Sequence, residues 1–127
     1  MEKFLLVGTG GFIGTVLRYW VSGYIQQFAR NNLFPFGTLA VNFLGCLLIG
    51  LLSQLAEDYG AFSVETRSLV FIGVLGGFTT FSAFGNETLN LLRDGQNLLA
   101  FANVSSQLIL GLGGVWLGRT LAYLIWR

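Results

Sequence analysis

Four long apolar segments follow one another along this chain of 127 residues, and they constrain its fold more than any other feature. Each reaches the length of about 20 mostly apolar residues that a helix needs to cross a bilayer. We place them near residues 4–28, 37–56, 68–92 and 98–126. The joints between them are short and polar. The pattern predicts an all-α membrane protein with a single four-helix transmembrane domain.

Composition agrees with a membrane protein and excludes several other classes. Hydrophobic residues make up 54% of the chain and charged residues only 10%, against about 25% charged in a typical soluble domain. The net charge is +1, and no basic patch indicates nucleic-acid binding. Cys46 stands alone, which excludes a disulfide framework and a cysteine metal cluster. We expect Cys46 to be a small buried hydrophobe, and we expect no catalytic residue.

The distribution of basic residues hardly favours one orientation in the membrane. Lys and Arg near the ends of the spans normally set that orientation. One side carries four of them and the other carries two, namely Lys3, Arg67, Arg119 and Arg127 against Arg30 and Arg93. A chain with so weak a bias can insert both ways. Two inverted copies would then form an antiparallel dimer with a twofold axis in the membrane plane.

Chain length and glycine spacing also favour association. Four helices can hardly enclose a polar path alone. Glycines four residues apart let helices approach closely, and such pairs occur at Gly10/Gly14, Gly73/Gly77 and Gly114/Gly118. We interpret these pairs as contacts between copies, with packing inside one chain as the alternative. The prediction is a homodimer.

Polar residues inside the apolar segments are candidates for function, because each must find a partner away from lipid. In the second segment, Thr38 and Asn42 are four apart and share one helix face. The third and fourth segments hold two denser sets, Thr79, Thr80, Ser82, Asn86 and Glu87, then Asn103, Ser105, Ser106 and Gln107. A lone Ser or Thr usually bonds to its own helix. Their concentration in three segments indicates a polar path.

The stretch GVLGGFTTFSAFGNET, residues 73–88, interrupts the third segment. Its paired glycines and threonines are poor helix formers, so we predict a break over residues 76–80. Carbonyls freed there suit a small hard cation such as Na⁺, while the following half-helix N-terminus favours an anion. Phe81 and Phe84 share a helix face, and their ring edges can face an anion. The alternative is that two aromatic residues at this spacing pack against neighbouring helices or face lipid.

Three segments resemble motifs of the Fluc (CrcB) family of fluoride channels. GGFTTFSAF (76–84) is similar to the third-helix signature GGFTTFSTF, GTLAVNFLGC (37–46) to the second-helix GTLxVNxxGS, and GGFIGTVLRY (10–19) to the first-helix GGxxGAxxRY. The resemblance implies a dual-topology homodimer in the cell membrane, which is the inner membrane in bacteria. It implies that fluoride leaves the cytoplasm passively through two antiparallel pores. It also implies a structural Na⁺ at the dimer centre.

The resemblance further implies which residues meet the permeating ion. Phe81 and Phe84 would line the fluoride path, and Asn42 would donate its amide to fluoride. Thr38 and Ser82 would continue the polar track. The chain departs from the family pattern at three positions that bear on this track, which are Ala83, Asn103 and Gln107.

Four more positions receive roles through the same resemblance. Gly76 and Thr79 would offer backbone carbonyls to Na⁺. Arg18 would attract anions toward a vestibule, and Glu87 would lie near a pore mouth. We expect glycine at position 76 because it adopts positive φ freely and lets a partner copy approach closely.

The residues alone leave two other interpretations open. A proton-coupled small multidrug exporter has similar size and dual topology, but it relies on an acid within the first helix, where this chain has Arg18. An accessory helix bundle without transport activity is the third interpretation. In that case the glycines and polar residues would serve packing alone.

Overall fold

The computed structural model describes residues 1–30 and 32–126, so Arg127, counted among the basic residues above, lies outside them. These residues form helices and no strand. Helix α1 covers Glu2–Ala29, α2 covers Phe36–Tyr59, the third span covers Val64–Arg93, and the last helix covers Asn97–Ile125. All four are long and apolar enough to cross a membrane. The predicted all-α protein with four membrane-spanning segments is confirmed.

The outer surface of these helices is apolar, as contact with lipid requires. Phe12, Leu48, Ile72 and Leu112 all lie exposed, one on each span. Exposed apolar area on this scale would be unfavourable in water. The chain is a multi-pass membrane protein.

The third span consists of two helical halves. Helix α3 covers residues 64–78 and includes π-helical turns over Ser68–Leu75. Thr79 (φ −90°, ψ 157°) and Thr80 (φ −149°, ψ 117°) are extended, and helix α4 then covers Phe81–Arg93. Non-helical backbone therefore occupies two residues rather than the five predicted. Gly76 is helical (φ −62°, ψ −37°), so the expectation that position 76 needs positive φ is wrong.

The two halves of the third span pack against different helices. Helix α3 runs along α1, whereas α4 contacts α5, the last helix, Asn97–Ile125. Helix α2 in turn packs along α5. The extended residues 79–80 thus lie where the third span changes its packing partner.

Polar side chains fasten the ends of the helices. At one end Gln26 of α1 donates from Nε2 to the Phe34 carbonyl oxygen at 2.9 Å, and its Oε1 accepts from the Gly37 N–H at 3.0 Å. That N–H belongs to the first turn of α2 and has no partner within the helix. At the other end Arg119 of α5 forms an ion pair with Glu57 of α2, at 2.9 Å. These contacts hold neighbouring spans together outside the apolar interior.

Glycines bring helices of the same chain into backbone contact. A Cβ at Gly14 would overlap the Val74 carbonyl oxygen, and one at Gly118 would overlap that of Leu47. The remaining members of the three pairs also face helices of this chain, Gly10 and Gly73 facing each other, Gly77 facing Gly11, and Gly114 facing Phe43. Interpreting these pairs as contacts between copies was therefore wrong. They set the helix spacing inside one chain.

Two glycines of α5 provide a matched test of this packing. Gly118→Ala places a methyl group against the Leu47 backbone, so we expect it to cost about 1–3 kcal/mol, the usual penalty of overpacking. Gly113→Ala is the control, because nothing lies within 4 Å of the position that its methyl group would take and alanine favours helix. The measurement is tryptophan fluorescence during unfolding by denaturing detergent. Equal stability of the two variants would contradict the assignment.

Candidate functional site

The side chain of Asn42 pairs with the backbone of Thr80 in the extended segment. Its Oδ1 accepts from the Thr80 N–H at 2.8 Å, and its Nδ2 donates to the Thr80 carbonyl oxygen at 3.0 Å. In an uninterrupted helix both backbone groups would have partners within the helix. Asn42 supplies those partners from α2. The amide of one span thereby stabilises the extended backbone of another.

Thr80 also begins the second half of the span. It is buried, and its Oγ1 accepts from the Ala83 N–H at 3.1 Å, which is a side-chain N-cap for α4. Thr80 was among the polar candidates in the sequence, but no role was predicted for it. The signal was present, because a threonine directly before a resumed helix is a favoured N-cap.

A cavity of about 360 Å³ lies beside the extended segment. Five predicted site residues line it together, namely Asn42, Gly76, Thr79, Phe81 and Phe84. Gln107 of α5 completes its polar wall. Cys46 lines the cavity too and is partly exposed, so the expectation of a simply buried cysteine is wrong.

The two phenylalanines form an edge-to-face pair. Their ring centroids are 5.5 Å apart, and the ring planes make an angle of 64°. This arrangement places the positive edge of one ring against the negative face of the other. Phe81 is 83% exposed, so most of its ring remains available to a molecule outside this chain.

Gln107 connects the asparagine to the fourth span. Its Oε1 accepts the second hydrogen bond from Asn42 Nδ2, at 3.0 Å. Within the described residues the buried Gln107 Nε2 has no hydrogen-bond partner. Both donors of Asn42 are thus used inside the chain, while a buried donor of Gln107 is not. An ion that binds to Asn42 must first displace Thr80 or Gln107.

A second cavity of about 280 Å³ holds the charged residues of the site. Arg18, Thr38 and Glu87 line it, and Thr80 lies in the walls of both cavities. Thr38 donates from Oγ1 to Glu87 Oε1 at 2.7 Å, whereas the buried Glu87 Oε2 has no partner within residues 1–30 and 32–126. The predicted residues therefore form two groups that meet at Thr80.

Ser82 is the one predicted residue outside both cavity walls. It lies exposed on the first turn of α4. Its Oγ is 3.3 Å from Thr80 Oγ1. Ser82 thus reaches the site only through that threonine.

The chemistry available for a cation at the break is backbone oxygen. Gly76 lies in the last turn of α3, where carbonyl groups lack helical partners and carry the negative end of the helix dipole. Thr79 follows in extended conformation, and both residues line the larger cavity. The described part of the chain contains no cluster of three His, Cys, Asp or Glu residues suited to a metal. Carbonyl oxygens fit a small hard cation such as Na⁺.

Comparison with known proteins gives a consistent set of relatives. A family profile described as "CrcB-like protein, Camphor Resistance (CrcB)" matches residues 5–119. A protein of Methylobacillus flagellatus named "Fluoride-specific ion channel FluC" is 46% identical over 93% of this chain and 92% of its own length. "Fluoride-specific ion channel FluC 3" of Methanosarcina barkeri is 45% identical over 96% and 91%. A FluC of Elusimicrobium minutum is 45% identical over 98% and 97%.

Asn42→Asp tests the pairing with Thr80. The substitution places a carboxylate oxygen where an N–H now faces the Thr80 and Gln107 oxygens. Leaving such buried groups unpaired costs about 1–3 kcal/mol, so we expect a clear loss of stability in the unfolding assay. Asn86→Asp, at an exposed position of α4, is the control. Wild-type stability of Asn42→Asp would contradict the structural role of the amide.

Proposed function

The chain belongs to the CrcB family, and on that premise we propose that it is a fluoride-selective ion channel, not an enzyme. It lets fluoride leave the cytoplasm passively and so lowers intracellular fluoride and its toxicity. The observation that carries this proposal is the similarity, over nearly the whole of both chains, to relatives named as fluoride-specific channels.

The larger cavity has the chemistry that a small anion needs. Phe81 and Phe84 offer ring edges, which attract an anion without the full charge of a lysine. Gln107 adds a buried amide donor that has no partner within the described residues. Weak contacts of several kinds suit conduction, because an ion must enter the site and also leave it quickly. In this proposal Asn42 exchanges one of its internal hydrogen bonds for one to fluoride.

The charged cavity serves as the approach to that path. Arg18 would attract anions toward it and Glu87 would lie near a pore mouth, while Thr38, which donates to Glu87, would continue the polar track. Thr80 connects the two cavities, with Ser82 beside it. The polar track of the proposal therefore runs along the break in the third span.

We propose that the working unit is a homodimer of two inverted copies, each a single four-helix transmembrane domain. The exposure of Phe81 supports a partner, since one chain leaves this ring without cover. The weak charge bias, with four basic residues on one side against two on the other, supports dual topology. At Gly76 a methyl group would meet only the Phe71 carbonyl oxygen, at 4.0 Å, so this backbone is open toward a second copy.

In this proposal a single Na⁺ lies at the dimer centre and is structural. The Gly76 and Thr79 carbonyls of each copy would hold it, because two inverted copies place them around one axis. When bound, the cation would neutralise helix C-termini that otherwise face one another. The two carbonyl oxygens of a single chain would be too few to enclose a cation, so the proposed site requires the second copy.

The multidrug exporter is not favoured. The relatives are named as ion channels. The only acidic residue of helix α1 is Glu2, at its very start. Within the span the helix carries a basic residue, Arg18. The accessory bundle without transport activity is not favoured either, since the relatives are named as ion channels.

Fluoride efflux from proteoliposomes tests the proposed function. Liposomes loaded with potassium fluoride, with valinomycin to relieve the membrane voltage, should release fluoride only when they contain the protein. Chloride-loaded liposomes are the control, and we expect no protein-dependent release from them. Equal release of both anions, or release of neither, would contradict a fluoride-selective channel.

Phe81→Ile tests the aromatic lining in the same assay. It removes the ring quadrupole while keeping an apolar side chain, so we expect loss of most fluoride flux with assembly retained. Phe101→Ile is the control, because Phe101 is similarly exposed on α5 but lines neither cavity. Assembly is checked by size-exclusion chromatography. Unchanged flux through correctly assembled Phe81→Ile would remove Phe81 from the path.

Cation replacement tests the structural Na⁺. Complete exchange of Na⁺ for a large organic cation throughout purification should abolish fluoride efflux, because backbone carbonyls in a fixed cradle cannot accommodate the larger ion. Restoring Na⁺ on both sides should restore it. A Na⁺ gradient in either direction should leave the efflux unchanged. Efflux that scales with the gradient would instead indicate coupled transport.

A further inference from the structure

A hydrogen-bonded chain connects the last span to the backbone of Phe84. Asn103 of α5 is fully buried, and its Nδ2 donates to Thr88 Oγ1 at 2.9 Å. Thr88 Oγ1 in turn donates to the Phe84 carbonyl oxygen at 2.7 Å. The hydroxyl of Thr88 is therefore both acceptor and donor. The bond from Asn103 thus joins α5 to the first turns of α4.

Phe84 needs such a support because of its place in the span. It lies in the first turn of α4, shortly after the extended residues 79–80, and its ring forms the edge-to-face pair with Phe81. Thr80 caps the start of α4 through Ala83. The cap and the Thr88 link hold α4 on either side of Phe84. Because Phe81 and Phe84 both lie on α4, a small rotation of α4 would carry the two rings together and change their position relative to Asn42 and Gln107 in the larger cavity.

We propose that Asn103 and Thr88 are positioning residues for the ion path, which hold α4, and with it Phe81 and Phe84, in place against α5. The proposal rests on the proposed function, since it assigns the two residues a part in fluoride conduction. Neither side chain lines the larger cavity. They act through the position of α4 and do not touch the ion.

Packing alone does not account for asparagine at position 103. Its Oδ1 is buried and has no hydrogen-bond partner within the described residues, although its Nδ2 is paired. A buried acceptor without a partner is unfavourable, and an apolar residue at this position would avoid that penalty. The amide is therefore better explained by the hydrogen bond that it gives to Thr88.

Three substitutions separate positioning from packing. Thr88→Val keeps the volume and removes the link. Asn103→Leu keeps the branching at Cγ and removes the amide but is larger, while Thr88→Ser keeps the hydroxyl. Thr120→Val is the matched control, because within the described residues the Thr120 hydroxyl bonds only to its own helix, to the Trp116 carbonyl oxygen at 2.9 Å. Loss of one hydrogen bond corresponds to about a five- to tenfold change. We expect that reduction in fluoride efflux per assembled channel for Asn103→Leu and Thr88→Val, and near-parental efflux for Thr88→Ser and Thr120→Val.

A spectroscopic readout reports on the ring itself. With 4-fluorophenylalanine at position 84, the ¹⁹F resonance should shift in Thr88→Val and Asn103→Leu and stay in place in Thr88→Ser. The same label at Phe12, which lies exposed on α1, should not respond. Thr88→Val replaces only a hydroxyl by a methyl group of similar size. It therefore provides the test by itself if Asn103→Leu assembles poorly.

The outcomes are distinct. Parental efflux in both Thr88→Val and Asn103→Leu would overturn the proposal, as would reduced efflux with an unmoved resonance at position 84. If the parental protein itself releases no fluoride, the proposed function fails. The ¹⁹F shifts still decide whether the link sets the position of Phe84.

Discussion

The structure depends on satisfying the backbone of Thr80 inside a membrane. Water is scarce there, so an N–H and a carbonyl that leave the helix need protein partners. Asn42 supplies both from the neighbouring span, at 2.8 and 3.0 Å. This pairing permits two extended residues within the third span. Without it, a continuous helix would be the favoured conformation, and the wall shared by the two cavities would be lost.

The position of the break follows from packing on either side of it. Glycines of α1 and α3 bring their backbones into contact, so the first half of the third span is held against α1. The second half lies against α5, where Asn103 meets Thr88. A straight helix would follow one of these partners only. The extended residues 79–80 let the span follow both, and they direct Phe81 and Phe84 into the same cavity wall.

Much of the site could be predicted, because its residues lie in short motifs whose order is informative. The resemblance placed Asn42, Phe81 and Phe84 on one path, and they do line one cavity. The glycine pairs were misassigned because their spacing shows that a helix face carries small residues, but it does not show which helix packs against that face. Gly76 was misjudged for a related reason. Two adjacent glycines indicate a weak helix, yet the departure from helix begins three residues later, where Asn42 can reach the backbone.

The sequence by itself determined the number of spans, the apolar surface, the scarcity of charge and the family, because hydropathy and motif order are properties of the linear chain. Only the tertiary structure decided which polar groups meet. Asn42 is 38 residues from Thr80, and Asn103 is 15 from Thr88. Hydrogen bonds over such separations depend on the spacing and rotation of the helices, which a pattern in the linear sequence does not show. That is also why Gln107 Nε2, which has no hydrogen-bond partner among residues 1–30 and 32–126, became evident only once the helices were packed.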